Sequence, residues 1–268
     1  MDRYRLKNII ILILLLVNIF LLGSLSMRQT SEKASHRQTA EQLSVLFAAD
    51  GMTLDADDVP SAPPPAGLTL SRDLELEARA AAFFLGKNPI QSPRGGDIYA
   101  YTGADGSGAA QFRVGGSFDI ACALSGRDGA ALIRDFCREF SYAEPVFLLD
   151  EGGSGSAAAT ARRGKHTVFN CTVSFTLDHG ELVAVSGTLL PEKGTAAAYD
   201  LEPLSAAAAL TAFQKTRRER QAAVSAVTEV TACYELQSAS MSLQPCWCVV
   251  TDTERYYVNC ITGAVTTN

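Results

Sequence analysis

The chain begins with an apolar run that decides where the rest of the protein can lie. The run extends from Leu6 to Leu25, and its strongly polar members are Lys7, Asn8 and Asn18. A helix of about 20 residues, rising 1.5 Å per residue, is roughly 30 Å long and matches the hydrocarbon core of a bilayer. We therefore predict a transmembrane anchor at residues 6–26, preceded by a cytoplasmic tail at residues 1–5.

The charges around this run predict its orientation. Arg3, Arg5 and Lys7 lie at its start, with Asp2 as their acidic neighbour. By the positive-inside rule the N-terminus is cytoplasmic, so the C-terminal domain is extracytoplasmic. A cleaved signal peptide is the alternative, since basic residues precede the apolar core. The long core and the stretch at 23–26, a poor match to the small-x-small cleavage pattern, favour a single-pass anchor in the cell membrane.

Asn18 is the polar residue deepest within the predicted span. An unpaired amide in hydrocarbon is costly, and a hydrogen bond from a second helix satisfies it. The alternative is that the leucine and isoleucine neighbours offset the cost and the amide is simply tolerated. Both interpretations stay open from the residues alone.

Composition indicates an ordinary folded domain after the anchor, with 47% hydrophobic and 19% charged residues. The net charge of −6 argues against nucleic acid, or an anionic membrane surface, as a partner of that domain. Its length allows one large domain or two small ones.

Seven cysteines are an odd number, so they cannot all pair within one chain. Most lie among apolar residues, which favours reduced and buried thiols. Cys246 and Cys248 share one face of a predicted strand, and Cys260 lies on the next. A three-residue hairpin loop would align Cys248 with Cys260, and a two-residue loop would not. Zinc would need two further ligands with no obvious source, so we expect no metal site.

Local patterns predict the first elements and their boundaries. Residues 28–50 are predicted to form a helix that ends at Gly51, and residues 27–58 form a membrane-proximal helix and strand. The proline-rich stretch 59–70 predicts an extended connector. Ser71 is the predicted cap of a second helix that ends at Leu85.

The later chain alternates helices and strands. Short strands joined by glycine turns are expected between Gly95 and Phe118. The next predicted elements are a helix at Asp128–Phe140, a strand at Pro145–Leu149 and a hairpin of His166–Leu177 with Leu182–Leu190, in which Phe169, Cys171, Val173, Phe175 and Leu177 share one side. A helix at Ser205–Arg220 and strands at Val227–Gln237, Pro245–Asp252 and Arg255–Val265 complete the prediction.

A helix laid against three antiparallel strands occurs twice in this pattern. The predicted fold class is therefore α+β, with antiparallel sheets each covered by a helix. The first subdomain is expected at 71–195 and the second at 196–268.

Motifs that carry chemistry are missing from the sequence. It contains no G-x-S-x-G, H-E-x-x-H, P-loop or G-x-G-x-x-G pattern, and its three histidines are His36, His166 and His179. A Cys–His nucleophile pair would need one of these beside a cysteine that the pattern buries. We therefore expect no enzymatic activity and no cofactor; an enzyme would instead expose a reactive Cys or His.

Both ends of the chain resemble a known family. The N-terminal run with Lys7 and Asn18-Ile19-Phe20-Leu21, followed by a membrane-proximal helix and Gly51-Met52-Thr53-Leu54, resembles the start of the YycI proteins of Gram-positive bacteria. The C-terminal Pro245-Cys246-Trp247, Arg255-Tyr256-Tyr257-Val258-Asn259 and Thr262-Gly263 resemble the last strands of that family and of PepSY-like modules. The middle half of the chain carries no such match.

The resemblance implies a single-pass regulator without enzymatic activity. Its partners would be a YycH-like protein and a sensor histidine kinase of the YycG (WalK) type, which controls cell-wall homeostasis. Asn18 and Lys7 would be the partner-contact residues in the membrane. The alternative function is a tethered PepSY-like module that binds or inhibits an extracytoplasmic peptidase or a cell-wall component.

Overall fold

The prediction of an α+β fold is confirmed. A computed structural model describes residues 14, 17–18, 34–104, 106, 108–122, 126–199 and 202–267, and in this part of the chain four helices pack on one large mixed sheet. The helices are α1 (34–49), α2 (Leu74–Leu85), α3 (Gly129–Glu139) and α4 (Ala206–Arg220).

Fourteen strands form the sheet. They are β1 (Leu68–Leu70), β2 (Ile90–Pro93), β3 (Tyr99–Thr102), β4 (Gly108–Phe112), β5 (Ser117–Cys122), β6 (Val146–Leu149), β7 (Gly155–Arg163), β8 (His166–Asp178), β9 (Glu181–Thr188), β10 (Gly194–Ala196), β11 (Val227–Gln237), β12 (Ser242–Thr251), β13 (Arg255–Asn259) and β14 (Val265–Thr267).

The helices and strands repeat one arrangement three times. Each of α2, α3 and α4 precedes four strands that pair antiparallel with their sequence neighbours: β2–β5, β6–β9 and β11–β14. The prediction of two units with three strands each was therefore wrong. Strand β7 was missed because its small residues, Gly155-Ser156-Ala157-Ala158-Ala159, lack the β-branched and aromatic side chains that mark a strand.

The first two units join through their last strands. Strand β5 pairs antiparallel with β9, which gives the order β2-β3-β4-β5-β9-β8-β7-β6. The helices α2 and α3 meet over this sheet at Phe136, whose ring centroid lies 4.8 Å from that of Phe84 and 5.5 Å from that of Phe83. Phe136 is fully buried, so it connects both helices to the sheet below them.

Strand β8 connects this sheet to the third unit. Its second half pairs with β9, and on the same edge its first half lies parallel to β11 at Val168 and Tyr234. The Asn170 amide accepts from the Leu236 N–H at 2.8 Å and donates to the Leu236 carbonyl at 2.9 Å. A side chain thus supplies hydrogen bonds that the backbone of a regular ladder would supply.

The prediction that Phe169 shares a face with Cys171 and Val173 was wrong, because a register shift in β8 turns its side chain to the other face. Thr160 of β7 lies opposite Thr172 of β8, and Arg162 lies opposite Thr167. The chain therefore advances by more residues along β8 than along β7 between these two pairs, so β8 carries extra residues. Such a bulge turns the side chains beyond it. Phe169 consequently leaves the core side and stacks on Tyr257 at 3.7 Å between ring centroids.

All four helices lie on one face of the sheet. Along β11, alternate residues share a face: Val230 packs under α1 and α4, whereas Tyr234 and Leu236 belong to the core under α2 and α3. The opposite face, which carries no helix among the described residues, is named the open face here. In the first two units it presents exposed hydroxyl side chains, including Thr172, Ser174 and Thr176.

Two details near the connector differ from the prediction. Asp73, rather than Ser71, caps α2, because its Oδ1 atom accepts from the N–H groups of Glu75 and Leu76 at 3.1 Å. The predicted strand after Gly51 is a single bridge between Thr53 and Ala226. The helix end at Gly51 is confirmed, with a φ of 74° that favours glycine.

Replacing Phe136 by alanine should lower the free energy of unfolding by about 3–5 kcal/mol, because the cavity would open where two helices meet the sheet. The measurement is urea denaturation of the full-length protein. Val114→Ala, at a side chain that is 58% exposed, is the control and should change the value by less than about 0.5 kcal/mol. Equal effects of the two changes would contradict the central role of Phe136.

Candidate functional site

The two predicted partner-contact residues belong to the N-terminal stretch, of which the structure describes residues 14, 17 and 18 before α1. Lys7 lies outside the described residues. Asn18 is helical and exposed, as are Leu14 and Val17. Within the described part of the chain, no helix combines the length and apolar character needed to cross a membrane.

Helix α1 packs on the third unit. Its buried residues Ala40, Leu43 and Phe47 belong to the same core as Phe213 of α4. The rings of Phe47 and Phe213 stack with centroids 6.4 Å apart. Leu46, which lies between Leu43 and Phe47 in the sequence, is 41% exposed and does not belong to this core.

Polar contacts close the end of the α1–α4 interface. The Asp50 carboxylate accepts hydrogen bonds from the Gln214 amide and from Arg218, whose Nε atom lies 2.8 Å away. The Arg218 hydrogen bond holds the pKa of Asp50 below its usual value. Gln214 is buried, so the pairing of its amide satisfies a group that would otherwise be costly to bury. We name these three side chains the α1–α4 latch.

A groove separates the other end of α1 from the proline-rich connector. The His36 Nε2 atom lies 3.1 Å from the Pro60 carbonyl oxygen, which ties α1 to the connector. The groove beside this contact has a volume of about 620 Å³, and Ser35, Thr39 and Pro203 are among its lining residues. It is wide and open to solvent.

A second concave site lies on the open face of the third unit. Its volume is about 310 Å³, and Glu235, Gln244, Tyr257 and Asn259 are among the residues that line it. The Asn259 Nδ2 atom donates to Glu235 Oε2 at 3.1 Å and to Gln244 Oε1 at 2.6 Å. These side chains come from three adjacent strands, and we name the site the open-face groove.

The chemistry of the open-face groove suits a polar ligand. A carboxylate and two amides offer hydrogen-bond acceptors and donors along one wall. Asn259 has a structural task as well, because its Oδ1 atom accepts from the N–H groups of Ile261 and Thr262. The sequence analysis missed this groove. The available signal was the alternation of polar Glu235 and Gln237 with buried residues of β11.

The seven cysteines are free and buried. Cys233 lies opposite Cys246 in the β11–β12 ladder, and both face the open side together with Cys248. Cys260 belongs instead to the core under α4. Three residues separate β12 from β13, yet Cys248 lies opposite Tyr257. The expectation that such a loop aligns Cys248 with Cys260 was therefore wrong.

The histidines are dispersed over the molecule. His166 Nδ1 lies 3.0 Å from the Ala232 carbonyl oxygen, and His179 Nδ1 lies 2.8 Å from Asp178 at a hairpin turn. Neither contact involves a cysteine. Among the described residues, no group of three or more His, Cys, Asp or Glu side chains is placed to hold a metal ion.

Comparison of the chain with protein-family models and with curated proteins gives no match. The geometry of the α1–α4 interface and of the open-face groove is therefore the structural basis for proposing a function.

The α1–α4 latch predicts a pH-dependent stability. Because the pKa of Asp50 is lowered in the folded protein from its usual 3.8, its contribution is present above that value and is lost as the pH falls through the lowered pKa. Asp50→Asn should therefore lower the urea midpoint at pH 7, and the difference from the wild type should shrink on acidification. Asp57→Asn, an exposed site in a nearby turn, is the control. A difference that grows at acidic pH would contradict the latch.

Burial predicts that the thiols are unreactive in the folded protein. It raises the pKa of Cys122 to about 11 and the pKa values of Cys137, Cys171 and Cys260 to about 12. Since the thiolate is the reactive form, iodoacetamide at pH 8 should label none of the seven cysteines until denaturant is added. Mass spectrometry of the labelled protein makes the measurement. Rapid labelling of one cysteine would favour the enzymatic alternative.

Proposed function

We propose that this protein is a membrane-anchored, non-enzymatic regulator of a sensor histidine kinase of the YycG (WalK) type, acting together with a YycH-like protein. Residues 6–26 would be its anchor, and Lys7 and Asn18 would contact partner helices. The helix-and-strand units after the anchor would be an extracytoplasmic, PepSY-like domain. In this proposal it is the packing of the protein against the kinase that controls cell-wall homeostasis.

The single observation that supports this proposal best is the α1–α4 interface. The buried Phe47 and the Asp50–Arg218 pair hold α1 against the third unit. Since α1 follows the predicted anchor in the chain, movement of the anchor relative to the kinase would reorient the whole third unit. Such a regulator favours the kinase state with which it makes better contacts.

The resemblance and the exposure of Asn18 also support the proposal. An exposed amide on an apolar helix is available to a neighbouring helix. In membranes such interhelical hydrogen bonds contribute about 0.6–1.7 kcal/mol, which suits a reversible regulator more than a permanent complex.

The open-face groove favours a second candidate function. A tethered PepSY-like module that binds a wall component, or inhibits an extracytoplasmic peptidase, would use a polar concave site such as the one around Glu235 and Asn259. In that case the anchor would serve only to hold the domain at the membrane.

An anchor exchange distinguishes the two candidates. We expect the full-length protein to co-purify from membranes with a histidine kinase, identified by mass spectrometry, and to lose it when residues 6–26 are replaced by an unrelated apolar helix. Asn18→Leu should reduce kinase recovery by roughly 3- to 18-fold, in line with the loss of one interhelical hydrogen bond.

Asn8→Leu, at the margin of the predicted span, is the matched control and should keep the kinase bound. Alkaline extraction of the membranes checks that each variant is still inserted. If replacement of the anchor leaves kinase recovery unchanged, the helix-contact proposal is wrong. Recovery of a wall enzyme or peptidase with both anchors would support the tethered module.

A further inference from the structure

Strand β6 ends the sheet with an exposed apolar edge. Val146 is 67% exposed, Leu148 is 73% exposed and Leu149 is 41% exposed. Within the described part of the chain β6 pairs only with β7, so its other edge has no partner strand. Natural sheet edges are usually protected by charges, proline or bulges, and an apolar edge of this kind is a template for another strand.

Hydrogen bonding at the β6–β7 turn shows which backbone groups point away from the sheet. The Asp150 N–H donates to the Ser154 carbonyl at 2.9 Å, and the register from there to Val146 has no shift. Hydrogen-bonded positions alternate along an antiparallel ladder, so Leu148 and Val146 bond to β7. The N–H and C=O groups of Phe147 and Leu149 therefore point outward.

The side chains on this edge are divided between the two faces. Val146 and Leu148 lie on the open face, whereas Phe147 packs against the core of α2 and α3. The guanidinium of Arg134 lies 5.1 Å from the centre of the Phe147 ring. An added strand would thus find two apolar contacts on one face and an aromatic ring on the other.

Charges at both ends of β6 determine what can pair with it. Glu144 precedes the strand and is 83% exposed, with Arg134 at 3.8 Å as its partner. Asp150 and Glu151 follow the strand, and both are exposed. Antiparallel pairing of two copies would place Glu144 of one copy near Asp150 and Glu151 of the other, and like charges across a strand pair are destabilising. The edge is therefore unsuited to a second copy of this chain.

We propose that β6 is a docking strand for an extended segment of a different protein, one with apolar side chains at alternate positions and lysine or arginine at both ends. The segment joins the sheet through backbone hydrogen bonds to Phe147 and Leu149. Its apolar side chains pack on Val146 and Leu148, and its basic ends meet the acidic flanks. This β-strand addition is independent of the proposed kinase regulation, since it uses neither the anchor nor the α1–α4 latch.

The test uses two fluorescein-labelled peptides and the full-length protein in detergent. One peptide is Lys-Lys-Val-Thr-Val-Thr-Val-Lys-Lys, and the other has glutamate in place of each lysine. Fluorescence anisotropy measures their binding at low and high salt. Hydrogen exchange measures protection of the outward N–H groups of Phe147 and Leu149.

Three variants locate the binding site. The double change Val146→Thr and Leu148→Thr removes the apolar contacts but retains residues that favour strands. Leu149→Pro removes one outward donor and leaves the β7 ladder intact. Ile90→Thr, on the edge strand β2, is the matched control because Ile90 is 63% exposed. Circular dichroism and thermal melts check that each variant is folded.

We expect the basic peptide to bind at least about 10-fold more tightly than the acidic peptide at low salt, with a smaller difference at high salt. Both β6 variants should weaken its binding at least about 10-fold, and Ile90→Thr should leave it unchanged. Binding should slow exchange of the Phe147 and Leu149 amides.

Three results would overturn the proposal. The first is equal binding of the two peptides, or no binding of either. The second is binding that the β6 variants leave unchanged. The third is a dimer in sedimentation velocity that Leu149→Pro converts to a monomer, which would identify a second copy as the occupant of the edge.

Discussion

The two sheet regions of this protein depend on one shared strand edge. The first half of β8 lies against β11, and the second half pairs with β9. The bulge between these halves lets Asn170 bond to the Leu236 backbone and turns Phe169 onto Tyr257. The β8–β11 ladder has a single parallel pair, so side-chain contacts strengthen this junction. Strand β1, which precedes α2 in the chain, pairs with β12 and provides a second backbone connection to the third unit. The single large sheet follows from these two connections.

Because the helices pack on one face of the sheet, that face forms the hydrophobic core, while the other face and the sheet edges stay available for interactions. The helix-bearing face buries the aromatic cluster around Phe136 and the Trp247 ring, whose Nε1 atom donates to the Leu204 carbonyl at 2.9 Å. The side chains on that face are buried and stabilise the fold. The open face and the sheet edges remain accessible, and they carry the groove at Glu235 and the apolar strand β6. Sites for other molecules are expected on such surfaces, where burial has not already satisfied the side chains.

Sequence patterns predicted the elements with strong periodicity and missed those without it. The amphipathic stripe of α3 and the alternation of β11 gave bounds within a residue or two of those observed. Strand β7 escaped because alanine and serine carry no strand signal, and Phe169 was assigned to the wrong face because a bulge changes the alternation without marking the sequence. The open-face groove was missed because its carboxylate and amides come from three strands, and their convergence depends on register.

The arrangement of the two surfaces limits how they can influence one another. The α1–α4 latch lies on the third unit, while β6 is separated from that unit by β7 and β8. Close-packed cores deform little, so a segment bound at β6 would not change the latch through gradual distortion of the sheet. Coupling between the two sites would instead require a second packing arrangement of β8 against β11, where few backbone hydrogen bonds join the two strands. Without such a second arrangement, the α1–α4 latch and the β6 edge are separate sites on one rigid body.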